Sequence, residues 1–385
     1  MKRRTPPRAA ARAADAADAA DVDFMLQAIE EAAKGLGRTH PNPAVGAVIV
    51  KDGKVVARGY HAKAGLPHAE AVALVAAGRR AKGATLYSTL EPCDHHGKTP
   101  PCTTAILEAG ISRVVFASSD PNPLVNGKGV VRLRASGVQV TPHVLRPAAD
   151  RLNLPFFKAM KRGLPWVTLK AGITLDGKIA TGTGASKWVT SEASRTAAAH
   201  RLRNRVDAVI VGPGTVKADD PRLTTRIRGG RTPVRVVVDA RLSTSPAARV
   251  YRTGEGLRTI VATLESPTGR RANPFLRRGV ELLQLPGRGG HVELERLLRA
   301  LVADGLLHVM VEGGAGMHAA FLGAGLADEV VLFVAPKLFG GAGLTWSGLL
   351  DVKSPADAIL LDDLQVERVG PDLMLVAGIT SPRAR

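Results

Sequence analysis

A chain of 385 residues is long enough for two domains of ordinary size. Hydrophobic residues make up 45% and aromatics only 4%, so the cores must rest on Val, Leu, Ile and Ala, and no run of ~18 apolar residues marks a membrane span. The formal charge of +19 points to an anionic partner (nucleic acid, membrane surface or phosphorylated metabolite) or to a coding bias toward Arg and Ala, and basic residues spread along the whole length without interleaved aromatics weaken the nucleic-acid reading.

Residues 1–20 are Ala- and Arg-rich, lack the apolar segment of a secretory signal and contain Asp15 and Asp18, so a disordered tail, or a frayed extension of the first helix, is expected there. Over 21–36, Phe24, Met25, Ala28, Ile29, Ala32, Ala33 and Leu36 recur at helical spacing, with Asp21 or Asp23 as the cap and Gly35 or Gly37 as the stop. Two Val-rich runs around Lys51-Asp52-Gly53-Lys54 predict a β-hairpin, because Asp-Gly suits its tight turn. A helix is expected from His68, a strand over ATLYSTLEPC, a helix from Cys102, a strand over RVVFASSD, a helix over GKGVVRLRASG and a short strand over VQVTPHV. Strands and helices alternating through 40–145 predict an α/β sandwich.

A polar helix and a Gly-Leu-Pro stop follow, which places a domain boundary near 163 and divides the rest into 21–163 and 164–385. Beyond it a second α/β pattern begins at Trp166. WVTLKAGITLDGKIA, DAVIVGPGT, VRVVVDA, VVLFVAPKLFG and DLMLVAGI read as strands, 191–205 as helical, and LHVMVEGGAGMHAAFLGAGL as strand, turn and helix.

The chemistry concentrates at His68, Glu70, Cys93 and Cys102. One imidazole and two thiolates form a good catalytic zinc set, which leaves a fourth position for water. Helix N-termini favour thiolates. Glu70 lies two residues from His68, near enough to take a proton from that water without binding the metal. His-x-Glu followed by Pro-Cys matches zinc nucleobase deaminases, but eight residues separate the two cysteines where that pattern has two. A disulfide between these two cysteines would close a short loop, but a reducing cytoplasm and one zinc per chain fit them better. Asn42 has a donor and an acceptor for a pyrimidine edge, or serves an Asx-turn before Pro43. His95, His96, Lys98 and Thr99 make a polar, partly cationic loop between the cysteines, able to hold an anion or simply solvated. In the second half, Glu312-Gly313-Gly314-Ala315-Gly316 follows a strand and opens a helix. It is a diphosphate cradle or an ordinary turn, and no standard dinucleotide fingerprint is present.

EPCDHHGKTPPC, GRTHPNPAVGAVIV, GYHAKAGLPHAEAVAL and SSDPNPLVNGKG closely resemble the bifunctional deaminase/reductase family of riboflavin biosynthesis. The resemblance continues through LKAGITLDGKIA, SKWVTS, VGPGTVKADDPRLTTR, VEGGAGMHAAFL and APKLFGG, so it covers nearly everything after residue 21. It implies a cytidine-deaminase-like α/β/α sandwich followed by a dihydrofolate-reductase-like α/β domain. It also implies deamination of 2,5-diamino-6-ribosylamino-4(3H)-pyrimidinone 5′-phosphate, then NADPH-dependent reduction of the ribosyl group to ribityl. Zinc would fall to His68, Cys93 and Cys102, proton transfer to Glu70, and substrate contacts to Asn42, His95 and Lys98. In the reductase it implies cofactor contacts at Gly172, Trp188, Thr215, Asp219, Gly314, Ala315, Gly316, Met317, His318, Ala319 and Ala320. Substrate contacts would fall to Ser186, Arg203, Leu223, Arg226 and Glu312, with Arg203 and Arg226 suited to phosphate. Lys170 and Glu312 are candidates for proton handling or substrate orientation, although Lys170 reads equally as a charge at a strand end. The resemblance also implies a homo-oligomer. A nucleic-acid base deaminase is the alternative suggested by charge, but it has no need of residues 164–385.

Overall fold

The computed structural model describes residues 19–95, 100–122, 125–254 and 256–380. The chain divides into two compact units, Met1–Gly163 and Leu164–Arg385.

The first unit opens with helix α1 (Ala19–Ala33) and the hairpin β1 (Gly46–Lys51) and β2 (Lys54–Tyr60). Asp52 and Gly53 both have positive φ, the geometry the Asp-Gly turn predicts. Helix α2 (Ala69–Ala77), β3 (Thr85–Leu90), α3 (Cys102–Glu108), β4 (Arg113–Ser118), α4 (Lys128–Ala135) and β5 (Gln139–Thr141) follow. The sheet order is β2-β1-β3-β4-β5, antiparallel up to β3 and parallel beyond it. Alternate residues of β1 serve opposite cores. Ala47 and Ile49 pack with Ala69 and Ala73 of α2, Ile106 of α3 and Leu133 of α4; Val48 and Val50 pack with Met25 and Ala28 of α1. This is the expected α/β/α sandwich, produced by a two-residue side-chain period on a strand covered on both faces.

Ala19 and Ala20 belong to the first helix, as its expected extension into that segment, while residues 1–18 lie outside the described residues. Two expectations for this unit are corrected. Asp21 is no cap: it is buried, accepts from Tyr87 Oη at 2.7 Å and pairs with Arg113 at 2.6 Å. The single polar helix expected after 146 is two, α5 (Arg146–Leu152) and α6 (Leu154–Arg162), broken at Asn153. The buried Asn153 side chain instead accepts from Ala44 N at 2.8 Å and donates to Ala44 O at 2.9 Å, so it substitutes for a strand partner of the chain leading into β1.

The second unit is built on β6 (Trp166–Thr174), β8 (Ala208–Val211), β9 (Val234–Val238), β10 (Thr259–Thr263), β11 (Glu281–Gln284), β14 (His308–Val311), β15 (Glu329–Ala335), β17 (Leu360–Val369) and β18 (Asp372–Thr380). Their order is β11-β10-β9-β8-β14-β6-β15-β18-β17. Every neighbouring pair from β11 to β15 is parallel; β18 and β17 close the sheet antiparallel. Two small ribbons, β7 (Lys178–Ala180) with β16 (Leu344–Thr345) and β12 (Gly287–Arg288) with β13 (His291–Val292), lie outside it. Helices α10 (Leu294–Ala303) and α11 (Ala315–Gly323) cover one face through Leu297, Leu301 and Phe321. Helices α8 (Pro213–Asp219) and α9 (Asn273–Leu276) cover the other through Val216 and Phe275. Between β7 and β8, the helix expected over 191–205 is α7 (Glu192–Ala197), which continues through a wider turn over 198–203. No helix among the described residues is long and apolar enough to cross a membrane.

Candidate active sites

In the first unit, three elements deliver the zinc candidates. His68 is the extended residue ahead of α2, Cys93 lies three residues past β3, and Cys102 is the first residue of α3. Their ligand atoms all lie within 4.8 Å of one another. His68 Nδ1 is 3.2 Å from Cys102 Sγ and 3.6 Å from Cys93 Sγ. The Cys102 amide donates to Cys93 Sγ at 3.5 Å, so the start of α3 holds the other cysteine. The hydrogen bond from Cys102, and after it that of His68, pulls the Cys93 thiol down to about 4 against its burial. The same contact and burial push Cys102 well above the ordinary thiol range. A divalent cation binds both as thiolates and replaces the proton that such a pair holds. An imidazole and two such thiols in tetrahedral reach are the donor set zinc prefers.

Glu70, in the first turn of α2, is 4% exposed, and Ser88 Oγ donates to its Oε1 at 3.4 Å. Burial, then the nearby Cys93 thiolate, raise its pKa.

The surrounding loop is braced from α4. Glu91, buried, accepts the Gly127 amide at 2.8 Å. Asp94 accepts from Thr103 Oγ1 at 2.5 Å and from Arg132 at 2.6 Å. A Cβ at Gly129 would sit 2.1 Å from the Pro92 carbonyl, the residue before Cys93. Gly129→Ala is therefore expected to push Pro92 and Cys93 outward, destabilising the unit by about 1–3 kcal/mol and lowering the zinc retained after dialysis. Thermal unfolding and metal analysis check it; an alanine variant with wild-type zinc content and midpoint contradicts the close packing.

Asn42 Nδ2 lies 3.1 Å from His61 Nε2. His61 is buried and its Nδ1 lies 3.1 Å from the Pro67 carbonyl, which can only accept. Nδ1 therefore carries the proton, Nε2 accepts from Asn42, and the Asn42 carbonyl oxygen keeps its acceptor. Burial lowers the His61 pKa, which keeps that ring neutral. The sequence analysis did not single out His61, although a second imidazole seven residues before His68 is a usable signal. His95 Nδ1 is buried with no hydrogen-bond partner among the described residues. His96, Lys98 and Thr99 lie outside those residues.

In the second unit the candidates gather at the carboxyl ends of the parallel strands, where ligands bind in open α/β sheets. Glu312 follows β14. Arg203 forks onto it, Nε to Oε1 at 2.5 Å and Nη2 to Oε2 at 2.8 Å, and Lys170 of β6 lies 3.6 Å from Oε2. Burial alone would raise the Glu312 pKa; Arg203 and then Lys170 outweigh it and hold the carboxyl at about 2. Arg203 also donates to the Thr224 carbonyl at 3.1 Å, in the loop carrying Leu223 and Arg226. Both of those residues have positive φ, 55° and 58°, a strained backbone that tends to mark binding sites. Arg226 is exposed; burial of part of its side chain and the charges of Arg203, Arg249 and Arg222 lower its pKa.

Thr215 Oγ1 accepts the Gly314 amide at 3.0 Å, and Ser186 Oγ donates to Asp219 at 3.3 Å. A Cβ at Gly313 would fall 2.6 Å from Met317 Cβ, whereas one at Gly316 would meet nothing within 4 Å. The glycines thus allow a tight strand-to-helix turn with room beside Gly316, and a helix start of this kind fits a diphosphate. Within the 314–320 run, Ala315 and His318 are buried. The His318 side chain has Nδ1 facing the Trp346 carbonyl at 3.0 Å and Nε2 the Val311 carbonyl at 3.4 Å, so it offers nothing outward. Trp188 is exposed, with the Arg195 guanidinium 4.3 Å from its ring centre. Arg195 and Lys337, which donates to the Trp188 carbonyl at 3.0 Å, were not among the sequence candidates.

Residues 18–118 match the cytidine and deoxycytidylate deaminase zinc-binding region, and residues 165–375 match the RibD C-terminal domain. The riboflavin biosynthesis protein RibD of Aquifex aeolicus is 45% identical over 92% of this chain and 97% of its own length. That of Escherichia coli is 39% identical over 92% and 98%. Among solved structures, RibD of Acinetobacter baumannii has a TM-score of 0.85 at 38% identity, covering 94% of this chain and 99% of its own. A diaminohydroxyphosphoribosylaminopyrimidine deaminase/5-amino-6-(5-phosphoribosylamino)uracil reductase of Thermotoga maritima has a TM-score of 0.82 at 39% identity, covering 94% and 99%. With both domains matched in order and whole-length relatives at these identities, the chain belongs to the RibD family, the bifunctional deaminase/reductases of riboflavin biosynthesis that pair a zinc-dependent hydrolase with an NADPH-dependent reductase.

Proposed function

We propose that the first unit deaminates 2,5-diamino-6-ribosylamino-4(3H)-pyrimidinone 5′-phosphate and that the second reduces the ribosyl group of the resulting uracil. The observation that carries this reading is the convergence of His68, Cys93 and Cys102 beside buried Glu70. Zinc at these residues supplies a Lewis acid that makes water nucleophilic at neutral pH. Glu70 takes the proton from the water attacking C2 of the ring and delivers it to the leaving amine, which departs as ammonia. Asn42, oriented by His61, meets the pyrimidine edge. His95 and Lys98 hold the ribose phosphate, and the buried His95 Nδ1, which has no hydrogen-bond partner among the described residues, supports this.

NADPH supplies the hydride for the second step. The ribosylamine opens to an imine, and C1′ is the carbon reduced. Gly314 to Ala320 run along the cofactor from the start of α11, with Thr215 holding the Gly314 amide; Gly172, Trp188 and Asp219 are the remaining cofactor contacts in this reading. Arg226, among Arg203, Arg222 and Arg249, faces the substrate phosphate, and Leu223 and Ser186 line the same site. Between the two roles open for Glu312, its low pKa supports orientation: an anion at neutral pH is a poor proton donor. Lys170, 3.6 Å from it, is left as the proton-handling candidate.

Two free cysteines used as ligands suit a reducing cytoplasm. The chain also forms a homo-oligomer in this reading, because the edge strand β17 exposes Leu360, Leu361, Leu364 and Val366, a surface that a second copy would cover. Purified protein is expected to carry one zinc per chain, which Cys102→Ser loses, and to sediment as a dimer or larger. A metal-free active enzyme would refute the zinc assignment, and a monomer would refute the assembly.

A further inference from the structure

Three consecutive carbonyls of the loop between β7 and α7 are held by two cations. Lys337, beyond β15, donates from Nζ to the Trp188 carbonyl at 3.0 Å and the Val189 carbonyl at 2.8 Å. Arg195, on α7, donates to the Thr190 carbonyl at 2.7 Å and lays its guanidinium over the Trp188 ring at 4.3 Å. The next residue is fixed as well: Asp372 of β18 accepts the Ser191 amide at 2.8 Å and the Ser194 hydroxyl at 2.6 Å. Lys337 is itself tied down, because the Leu175 amide donates to its carbonyl at 2.9 Å and Asp176 accepts the neighbouring Gly340 amide at 2.7 Å. Beneath the loop, a Cβ at Gly172 would already press Thr190 Cγ2 at 3.0 Å.

Trp188 itself is 64% exposed. A large apolar ring facing water gains nothing from burial, and a free loop would let it sample many positions. This cost of ordering is what a pre-formed binding wall avoids at the moment of binding. The backbone on one side and the ring face on the other are each held by a cation, and charge-assisted hydrogen bonds and cation–π contacts are the stronger members of their classes.

We infer that Lys337 and Arg195 are positioning residues that pre-organise Trp188 as a fixed wall of the NADPH site, so that the cofactor meets an already ordered ring. The inference rests on the reading of Trp188 as a cofactor contact. Lys337 touches no reacting atom in this account; it acts through the backbone of Trp188.

The test is NADPH affinity of the full-length protein, read from the fluorescence of the nicotinamide, with thermal unfolding as a control for folding. Lys337→Met is expected to weaken NADPH binding about tenfold and to raise KM for NADPH with little change in kcat. Lys337→Arg, which keeps a charged donor for both carbonyls, is expected to stay within about twofold of wild type. In a Trp188→Ala background, Lys337→Met is expected to add nothing, since residues acting through one another are not additive. Full additivity of the two substitutions, or wild-type affinity in Lys337→Met while Trp188→Ala binds weakly, overturns the inference. Wild-type affinity in Trp188→Ala overturns the underlying reading of the cofactor site, and this inference with it. Should Lys337→Met fail to fold, Arg195→Met in the same cycle carries the same expectations, because it removes the contact on the other face of the ring.

Discussion

Glu70→Gln is expected to lower ammonia release by about 10²–10⁴-fold while leaving zinc in place. Glutamine has the same shape and can still accept from Ser88, which donates to Glu70 at 3.4 Å, so the buried pocket is preserved. It cannot take up a proton, and that step is all the substitution removes. The metal donors His68, Cys93 and Cys102 are untouched, which separates this variant from Cys102→Ser, where metal and activity are lost together. Ammonia release and metal content measured on one preparation decide it. Activity within tenfold of wild type with zinc bound would remove Glu70 from the proton-transfer role.

Glu312→Gln is expected to abolish reduction and to destabilise the second unit by roughly 3–5 kcal/mol, the cost of leaving a buried charge without its partner. Glu312 accepts both arms of Arg203 and lies beside Lys170, and all three side chains are largely buried. For a unit of this size such a loss lowers the unfolding midpoint by roughly 6–20 °C. The carboxyl sits at about 2 in the folded protein against an ordinary 4.5. Its depressed pKa therefore contributes stability that is fully present above pH 4.5 and is lost as pH falls through about 2. In Glu312→Gln that part of the acid dependence should disappear. Scanning calorimetry between pH 2 and pH 7 reads both effects, and an unchanged midpoint at pH 7 contradicts the ion cluster.

How much was legible in sequence follows from the range of the interactions. His68, Glu70, Cys93 and Cys102 could be read because metal chemistry restricts residue types and because helix starts fix two of them locally. The hairpin at Asp52-Gly53 was legible for the same local reason. Asp21 looked like a cap because only its near neighbours were visible; its partner Arg113 lies 92 residues away. The Lys337 contact to Trp188 spans 149 residues, and no spacing rule reaches that far. Strand β17 carries only a short apolar–polar alternation, Leu364 to Glu367, after the Asp362-Asp363 pair, too short a signal beside nearly complete exposure. Arg203 was expected as a substrate contact from the family resemblance, with a charge suited to phosphate. Its fork onto Glu312, 109 residues away, could not be read from spacing, and it leaves the exposed Arg226 as the freer cation for the phosphate in our reading.

The central claim is that one chain performs both steps in order on a phosphorylated pyrimidine. The most direct measurement supplies the full-length protein with 2,5-diamino-6-ribosylamino-4(3H)-pyrimidinone 5′-phosphate and follows ammonia and NADPH together. Without NADPH, ammonia should form mole for mole with substrate and no ribityl product should appear. With NADPH, its oxidation should follow ammonia release after a lag and reach the same total. Oxidation of NADPH that runs ahead of ammonia, or ammonia released from an oligonucleotide and not from this substrate, would contradict the account.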